Sequence, residues 1–437
     1  MSFEKDKGDE YFTQFKFLEA FRWYLKAREK FYLDGKEKEL RDVEIKIARC
    51  FALLGQRKES IDILTELAEQ VKERLLIEDF YLITLELIAT YLSYGYYEKG
   101  KEYLELLEED QITISNPQNF FRYWQIKAQL LVVYHKLIEA REMVQFLKDK
   151  AKEIGNEPYF HELQVLEAQI DAEEGDVLKA FTSIDEAVKY FEKTPFERSA
   201  FEKKIILSQF VEEPEETIRL MDEYLDRYQP DDFHPLMFNA QRIELELRSE
   251  KITPEEAVEK GERLLFSAES IEHQELTAKV RRLMAGLYQS IGKPNKSFES
   301  FEKARQYFID QKLEYEEAVT MFIYLPALLQ FHSAKLLGLT GYLGGPKIKN
   351  KTLVDQFDLA IEIDRLIQIF EEYDDQVRAK MAKFFLLSYK ISMISKNREY
   401  DNSIKEINDI YQWMLDEGEL HYSEMIGQFL ELVKQYR

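Results

Sequence analysis

The sequence predicts an all-α solenoid, a stack of antiparallel helix pairs, on three observations. Small residues recur at Ala20, Ser60, Gly100, Ala140, Ala180, Thr217, Ala257 and Ser297, at intervals of 40, 40, 40, 40, 37, 40 and 40. Large residues such as Tyr24, Leu64, Leu104, Val144 and Ile184 follow four places on, and Leu67, Leu107, Leu147 and Leu264 seven places on. This i, i+4, i+7 stripe is one face of an amphipathic helix. Stretches such as "LLGQRKESIDIL", "SYGYYEKGKEYL" and "EEGDVLKAFTSI" join an apolar helical run, through a short turn, to a second helix that opens on the small residue. A fixed period of this length marks a repeat array, in which each unit buries its apolar face only by stacking on its neighbours.

The first helix of each unit has its own small position, twelve residues earlier: Gly8, Ala48, Ala128, Ala168 and Ala285, with Ile88 as the bulky exception. A large residue follows three later at Tyr11, Phe51, Tyr91, Leu131 and Tyr288. Small residues on both helices admit close backbone approach, and the aromatic beside them fills the groove so formed.

The composition suits such an array. Of 437 residues, 45% are hydrophobic and 14% aromatic, ample for a long core. Sixty Lys+Arg against 83 Asp+Glu leave a formal charge of -23, which argues against nucleic-acid binding, where a basic face is needed. The single cysteine, Cys50, lies in an apolar helical run and reads as a small buried hydrophobe. The opening "MSFEKDKGDE" is charged and lacks the apolar centre of a signal peptide, so a soluble, cytoplasmic protein is expected.

"GLYQSIGKPNKSFESFEKA" (Gly286 to Ala304) and "EAQIDAEEGDVLKAFTSIDEA" (Glu167 to Ala187) resemble the tetratricopeptide repeat, with Trp124 at its tryptophan position. The unit of 40 residues is similar to the long form found in bacterial signalling regulators. The resemblance implies a right-handed superhelix whose concave face is built by the first helices, and a partner lying against them. It covers residues 1–311, about eight helix pairs, and is weakest near 198–265.

Beyond residue 311 the beat breaks, and 312–437 reads as divergent helical repeats. The stripe resumes at Ala360 and Ser403, intervals of 63 and 43, so the ninth unit carries an insertion. Within it, 321–339 reads as a buried helix pair kinked at Pro326, or as a partner-binding or membrane-surface hairpin. "GYLGGPKIKNKT" follows, an inserted loop over about 338–351. It lacks the glycine before Lys351 that a phosphate-binding loop needs, and Thr352 with Asp355 reads as a helix N-cap. Lys347, Lys349 and Lys351 are its candidate contacts with an acidic partner. Further helices are expected over about 352–372, 375–396, 400–416 and 420–436, the last a cap on the array.

No catalytic constellation emerges. Six histidines are scattered, and "HELQV" at His161 has Val165 where a second zinc-binding histidine must stand. The expectation is therefore no enzyme, no metal and no cofactor. The inward positions of the first helices supply the candidate partner-binding groove: Arg49, Arg122, Gln125, Gln129, Arg242, Lys279 and Arg282. Arginine forks suit carboxylates or phosphates on a partner; the alternative is that the cations balance glutamates of neighbouring repeats. The function expected is a non-catalytic interaction scaffold that binds a peptide or helix. The other reading is a regulator whose superhelix changes conformation on binding a signalling peptide. Neither partner nor oligomeric state is specified by the sequence.

Overall fold

A computed structural model of the chain describes residues 2–109, 117–192, 194, 196–228, 234–336, 358–393 and 398–435. Its described residues hold 21 helices and no strand. The first sixteen form eight pairs: α1 (Phe3–Thr13) with α2 (Phe17–Leu33), α3 (Glu37–Leu53) with α4 (Arg57–Glu73), α5 (Ile77–Ser93) with α6 (Tyr97–Glu109), and α7 (Pro117–Val133) with α8 (Leu137–Glu153). They continue as α9 (Glu157–Glu173) with α10 (Val177–Tyr190), α11 (Glu197–Val211) with α12 (Pro214–Tyr228), α13 (His234–Arg248) with α14 (Pro254–Ser270), and α15 (Gln274–Ser290) with α16 (Pro294–Asp310). Then come α17 (Glu314–Leu336), α18 (Leu359–Glu372), α19 (Gln376–Met393), α20 (Arg398–Asp416) and α21 (Leu420–Gln435).

The local rule is simpler than a forty-residue unit. Helices of 17 residues alternate with three-residue turns through much of the first half. The middle turn residue takes a left-handed conformation every twenty places, at Phe15, Gly35, Gly55, Leu75, Gly95, His135, Gly155 and Gly175. At Gly55 the following Gln56 N–H returns 2.8 Å to the Phe51 carbonyl, satisfying an end-of-helix acceptor. The single interval of 37 has its origin here. α10 has 14 residues, α11 and α12 have 15 each, and Glu212 between them is extended rather than left-handed.

All eight small positions that set the period are buried, Ala20, Ser60, Ala140, Ala180, Thr217, Ala257 and Ser297 completely. Gly100 of this series and Gly8 of the first-helix series are glycines for a reason of space. A Cβ on Gly8 would stand 2.4 Å from the Tyr24 ring, and one on Gly100 would stand 2.6 Å from Leu92 Cδ2. Tyr24 is itself almost fully buried and donates its hydroxyl to Asp9 at 2.7 Å. Cys50 lies fully buried in the same cluster, and burial pushes its thiol up to about 12. Asp171, standing where a large residue is expected, is buried too and is neutralised by Arg141 at 2.7 Å and Lys179 at 3.0 Å.

The chain divides into two compact units, Met1–Leu283 and Met284–Arg437. In the first, elements far apart in sequence touch. The Tyr97 hydroxyl donates to Glu275 at 2.5 Å, 178 residues away, and the Gln274 N–H donates to the Tyr94 carbonyl at 3.2 Å. Arg57 pairs with Glu272, and the Phe15 ring meets Tyr228 edge-on at 5.1 Å. Successive turns of this array therefore pack on one another.

The second unit has one continuous core including Phe298, Phe301, Met321, Leu325, Ile363, Phe370, Met381, Ile407 and Ile426. Where a kinked helix pair is expected over 321–339, α17 is one helix as far as Leu336, running through Pro326. Ile323 and Pro326 face solvent while Met321, Phe322, Tyr324 and Leu325 face the core, so the proline ring sits on the side that packs nothing. The described part of α18 starts at Leu359, capped by the Asp358 carboxylate, which accepts the Ala360 and Ile361 N–H groups. The loop over 338–351, with Lys347, Lys349 and Lys351, and the Thr352–Asp355 cap lie outside the described residues.

Candidate functional site: the inner face of the first unit

Odd-numbered helices of the first unit touch the next odd-numbered helix, α3 to α5, α5 to α7, α7 to α9 and α9 to α11. Among the described residues no contact of that extent joins successive even-numbered helices of this unit, so the odd-numbered ones line the tighter, inner side. Along it runs a ladder of side chains spaced 36–38 residues apart. Lys5 meets Asp42 at 2.5 Å, Lys46 meets Asp9 at 2.8 Å, and Arg41 meets Asp79 at 2.7 Å. Arg49 then grips Glu86 with two bonds, Nε at 2.8 Å and a terminal nitrogen at 2.6 Å, and Arg122 reaches the same carboxylate at 3.0 Å. The last rung is Gln125 Nε2 to Glu162 at 3.5 Å.

The electrostatics follow from burial and pairing. Glu86 is 4% exposed; burial alone would raise its pKa, but Arg122 and Arg49 outweigh it and hold the carboxyl below its usual range. Glu162 is the opposite case. Burial pushes it up to about 7, against the Gln125 amide and the more distant Arg122. Arg49 and Arg122 keep 39% and 40% of their side chains exposed, so the cluster presents guanidinium surface to the groove while anchored from behind.

The structure thus places three of the expected groove residues side by side: Arg49 and Arg122 share Glu86 across α3, α5 and α7, and Gln125, one turn from Arg122 on α7, bonds Glu162 of α9. Gln129, one turn beyond Gln125, is exposed. Arg242, Lys279 and Arg282 stand elsewhere on the first unit. Arg242 pairs with Asp222 of α12 and, with Ile243, Glu246, Lys260 and Arg263, lines a half-open cleft of about 400 Å³ between α13 and α14. Lys279 bonds Glu275 on its own helix at 2.6 Å. Arg282 lies close enough to Glu244 to oppose the rise that burial gives that carboxyl. Glu86 and Glu162 are absent from the sequence reading. The complementary offsets Lys5/Asp42, Asp9/Lys46 and Arg49/Glu86, each 37 residues, are the signal that points to them.

His161 stacks on Tyr190 at 3.6 Å, a packing role on its own repeat. Among the described residues no group of three or more His, Cys, Asp or Glu side chains is arranged to hold a metal ion. No described helix is long and apolar enough to cross a membrane.

The helix pairs are of the tetratricopeptide type. No protein-family model matches the chain, and no curated protein matches it. Solved structures with similar repeat architecture include a Rap protein complexed with competence and sporulation factor, at 11% identity and TM-score 0.47, over 82% of this chain and 98% of that one. A human IFIT1 dimer with PPP-AAAA matches at 13% identity and TM-score 0.46, over 99% and 94%. A signal-transduction ATPase of Pyrococcus horikoshii with a tetratricopeptide repeat sensor matches at 13% identity and TM-score 0.42, over 94% of this chain and 55% of that one. Likenesses at this level concern repeat architecture only.

Proposed function

We propose that the protein is a non-catalytic interaction scaffold that holds a peptide or helix of a partner protein against the inner face of its first unit. The observation that carries this reading is the Arg49–Glu86–Arg122 cluster, with Gln125 beside it on α7. Side chains from three stacked helices converge there, anchored by a buried carboxylate yet still open to the groove. Anchoring matters because long side chains fixed in place lose less entropy when a partner arrives. Gln129 extends the same contact face. Arg242, Lys279 and Arg282 form a second candidate contact region, and Lys347, Lys349 and Lys351 a third on the inserted loop.

The test is a comparison of partner recovery from the native cell by wild-type chain and by a variant carrying Arg49→Ala, Arg122→Ala and Gln129→Ala. A specific set of proteins lost from the variant but kept by an Arg242→Ala, Lys279→Ala, Arg282→Ala variant supports the first groove. Unchanged recovery by both variants contradicts the groove reading.

A second reading, a regulator whose array changes pitch on binding, is favoured by the contacts between successive turns. They include Arg57 and Tyr94–Tyr97 against Glu272–Glu275, and Phe15 and Phe17 against Arg198 and Tyr228. Scattering profiles with and without a recovered partner separate the two: an unchanged radius favours the scaffold, and compaction or extension favours the switch.

A further inference from the structure

The inner ladder has one irregular rung. At four of its positions a carboxylate is met by a lysine or arginine of the neighbouring odd-numbered helix, between 2.5 and 2.8 Å. At the fifth, among the described residues, Glu162 of α9 accepts from the neutral Gln125 amide at 3.5 Å and is in no ion pair within 4 Å, Arg122 acting on it only from a distance. Arg122, the nearest cation on α7, is committed to Glu86 at 3.0 Å. A carboxylate in this position raises the energy of the folded chain, because burial without a paired cation is costly. A glutamine at 162 would keep the hydrogen bond without that cost, and a lysine at 125 would complete the ladder. The sequence has neither. Glu162 is not sealed in the core; it keeps a partly exposed edge on the groove side of α9.

We infer that Glu162 is a recognition position for a cation, and that the occupant of the groove inserts a lysine or arginine side chain there, supplying the counter-charge the ladder lacks. This rests on the groove reading given above and specifies the occupant. The desolvated surroundings that make Glu162 expensive when empty make a salt bridge to it stronger than one in water. Its pKa, displaced up to about 7 by burial, accords with a carboxyl waiting for a positive partner. The Arg122 and Arg49 guanidiniums, one and three odd-numbered helices away, repel a second cation. A single basic side chain is therefore selected rather than a basic tract, with neutral or acidic residues beside it.

The probe is a positional-scanning pool of acetylated hexapeptide amides, retained on the immobilised full chain and read by mass spectrometry. Wild type is expected to enrich lysine or arginine at one position by about tenfold, the scale of a charge-assisted hydrogen bond. Glu162→Gln and Gln125→Lys should each abolish that enrichment while leaving preferences at other positions in place. Both variants should also melt higher than wild type, whereas a purely structural Glu162 predicts a lower melting temperature for Glu162→Gln. Generic attraction of basic peptides to an acidic protein survives both substitutions, so basic enrichment equal in wild type and variants overturns the inference. Position-specific retention with no basic preference overturns it too while leaving the groove reading intact. Retention with no positional preference at all overturns both.

Discussion

At the scale of single residues, the inner ladder pairs charges across neighbouring inner helices and leaves two carboxylates in opposite states. Removing Glu86 as Glu86→Ala would strand Arg49 and Arg122 facing each other. Breaking a fully buried pair costs about 3–5 kcal/mol, and since both guanidiniums keep some access to water we expect about 2–3 kcal/mol, read as a loss of chemical stability in urea. Glu162 has the reverse sign. Its pKa stands above the ordinary 4.5, near 7, so the folded chain holds the proton more tightly than the unfolded chain does. Stability is therefore full below about pH 4.5 and declines as pH rises to about 7, with Arg122 and Gln125 of α7 and Tyr159 of its own helix as the facing groups. Glu162→Gln should remove that decline, a gain on the order of 3 kcal/mol at pH 8 that vanishes at pH 4. A gain independent of pH would contradict the assignment. Glu86 and Glu162 are hard to pick out of the sequence because acids are abundant throughout, and only the 37-residue offset to a partner two helices away singles these out.

At the scale of the helix, space decides what the stripe of small residues is for. Gly8→Ala places a methyl 2.4 Å from the Tyr24 ring, which is buried and bonded to Asp9 and has little freedom to move. The helix-propensity gain of roughly 0.5–1 kcal/mol is smaller than an overpacking cost of about 1–3 kcal/mol, so α1 and α2 should separate more easily. Gly286, mid-helix in α15 with nothing within 4 Å of its would-be Cβ, is the control. Gly286→Ala should stabilise its unit by about 0.5–1 kcal/mol. Thermal melts of the two variants moving in opposite directions check the pair; movement in the same direction would contradict it. This level of organisation was the most legible in the sequence. Ala20 through Ser297 mark the interfaces because a small residue at a crossing has no substitute. The twenty-residue half-unit was less visible, since Phe15, Leu75 and His135 hold the same left-handed turn that glycine holds elsewhere. α17 differed from the expected pair because Pro326 lies on the exposed side, where a proline disturbs no packing.

At the scale of the whole first unit, contacts between turns join elements far apart in sequence, and they could not be read from a periodic pattern that describes nearest neighbours alone. His273, 3% exposed and under the Tyr94 ring, sits at their centre with Glu275, Lys279 and the Ser93 backbone around it. Burial lowers its pKa from 6.5 to about 4, so its contribution is full above about pH 6.5 and is lost as pH falls toward 4. Protection factors for amide exchange at residues 93–97, taken relative to the intrinsic rate at each pH, should fall over that interval and hold steady in His273→Gln; an equal fall in both would contradict the assignment. The central claim, that a partner lies along the inner face, is tested most directly by a photo-cross-linking residue placed at Gln129 or, as a control, at Asp149 on the exposed side of α8. Illumination in the native cell should yield one discrete adduct from the Gln129 position, absent from the Asp149 position and lost when Arg49 and Arg122 are replaced by alanine. Adducts that form equally from both positions, or that survive loss of the two arginines, would contradict it.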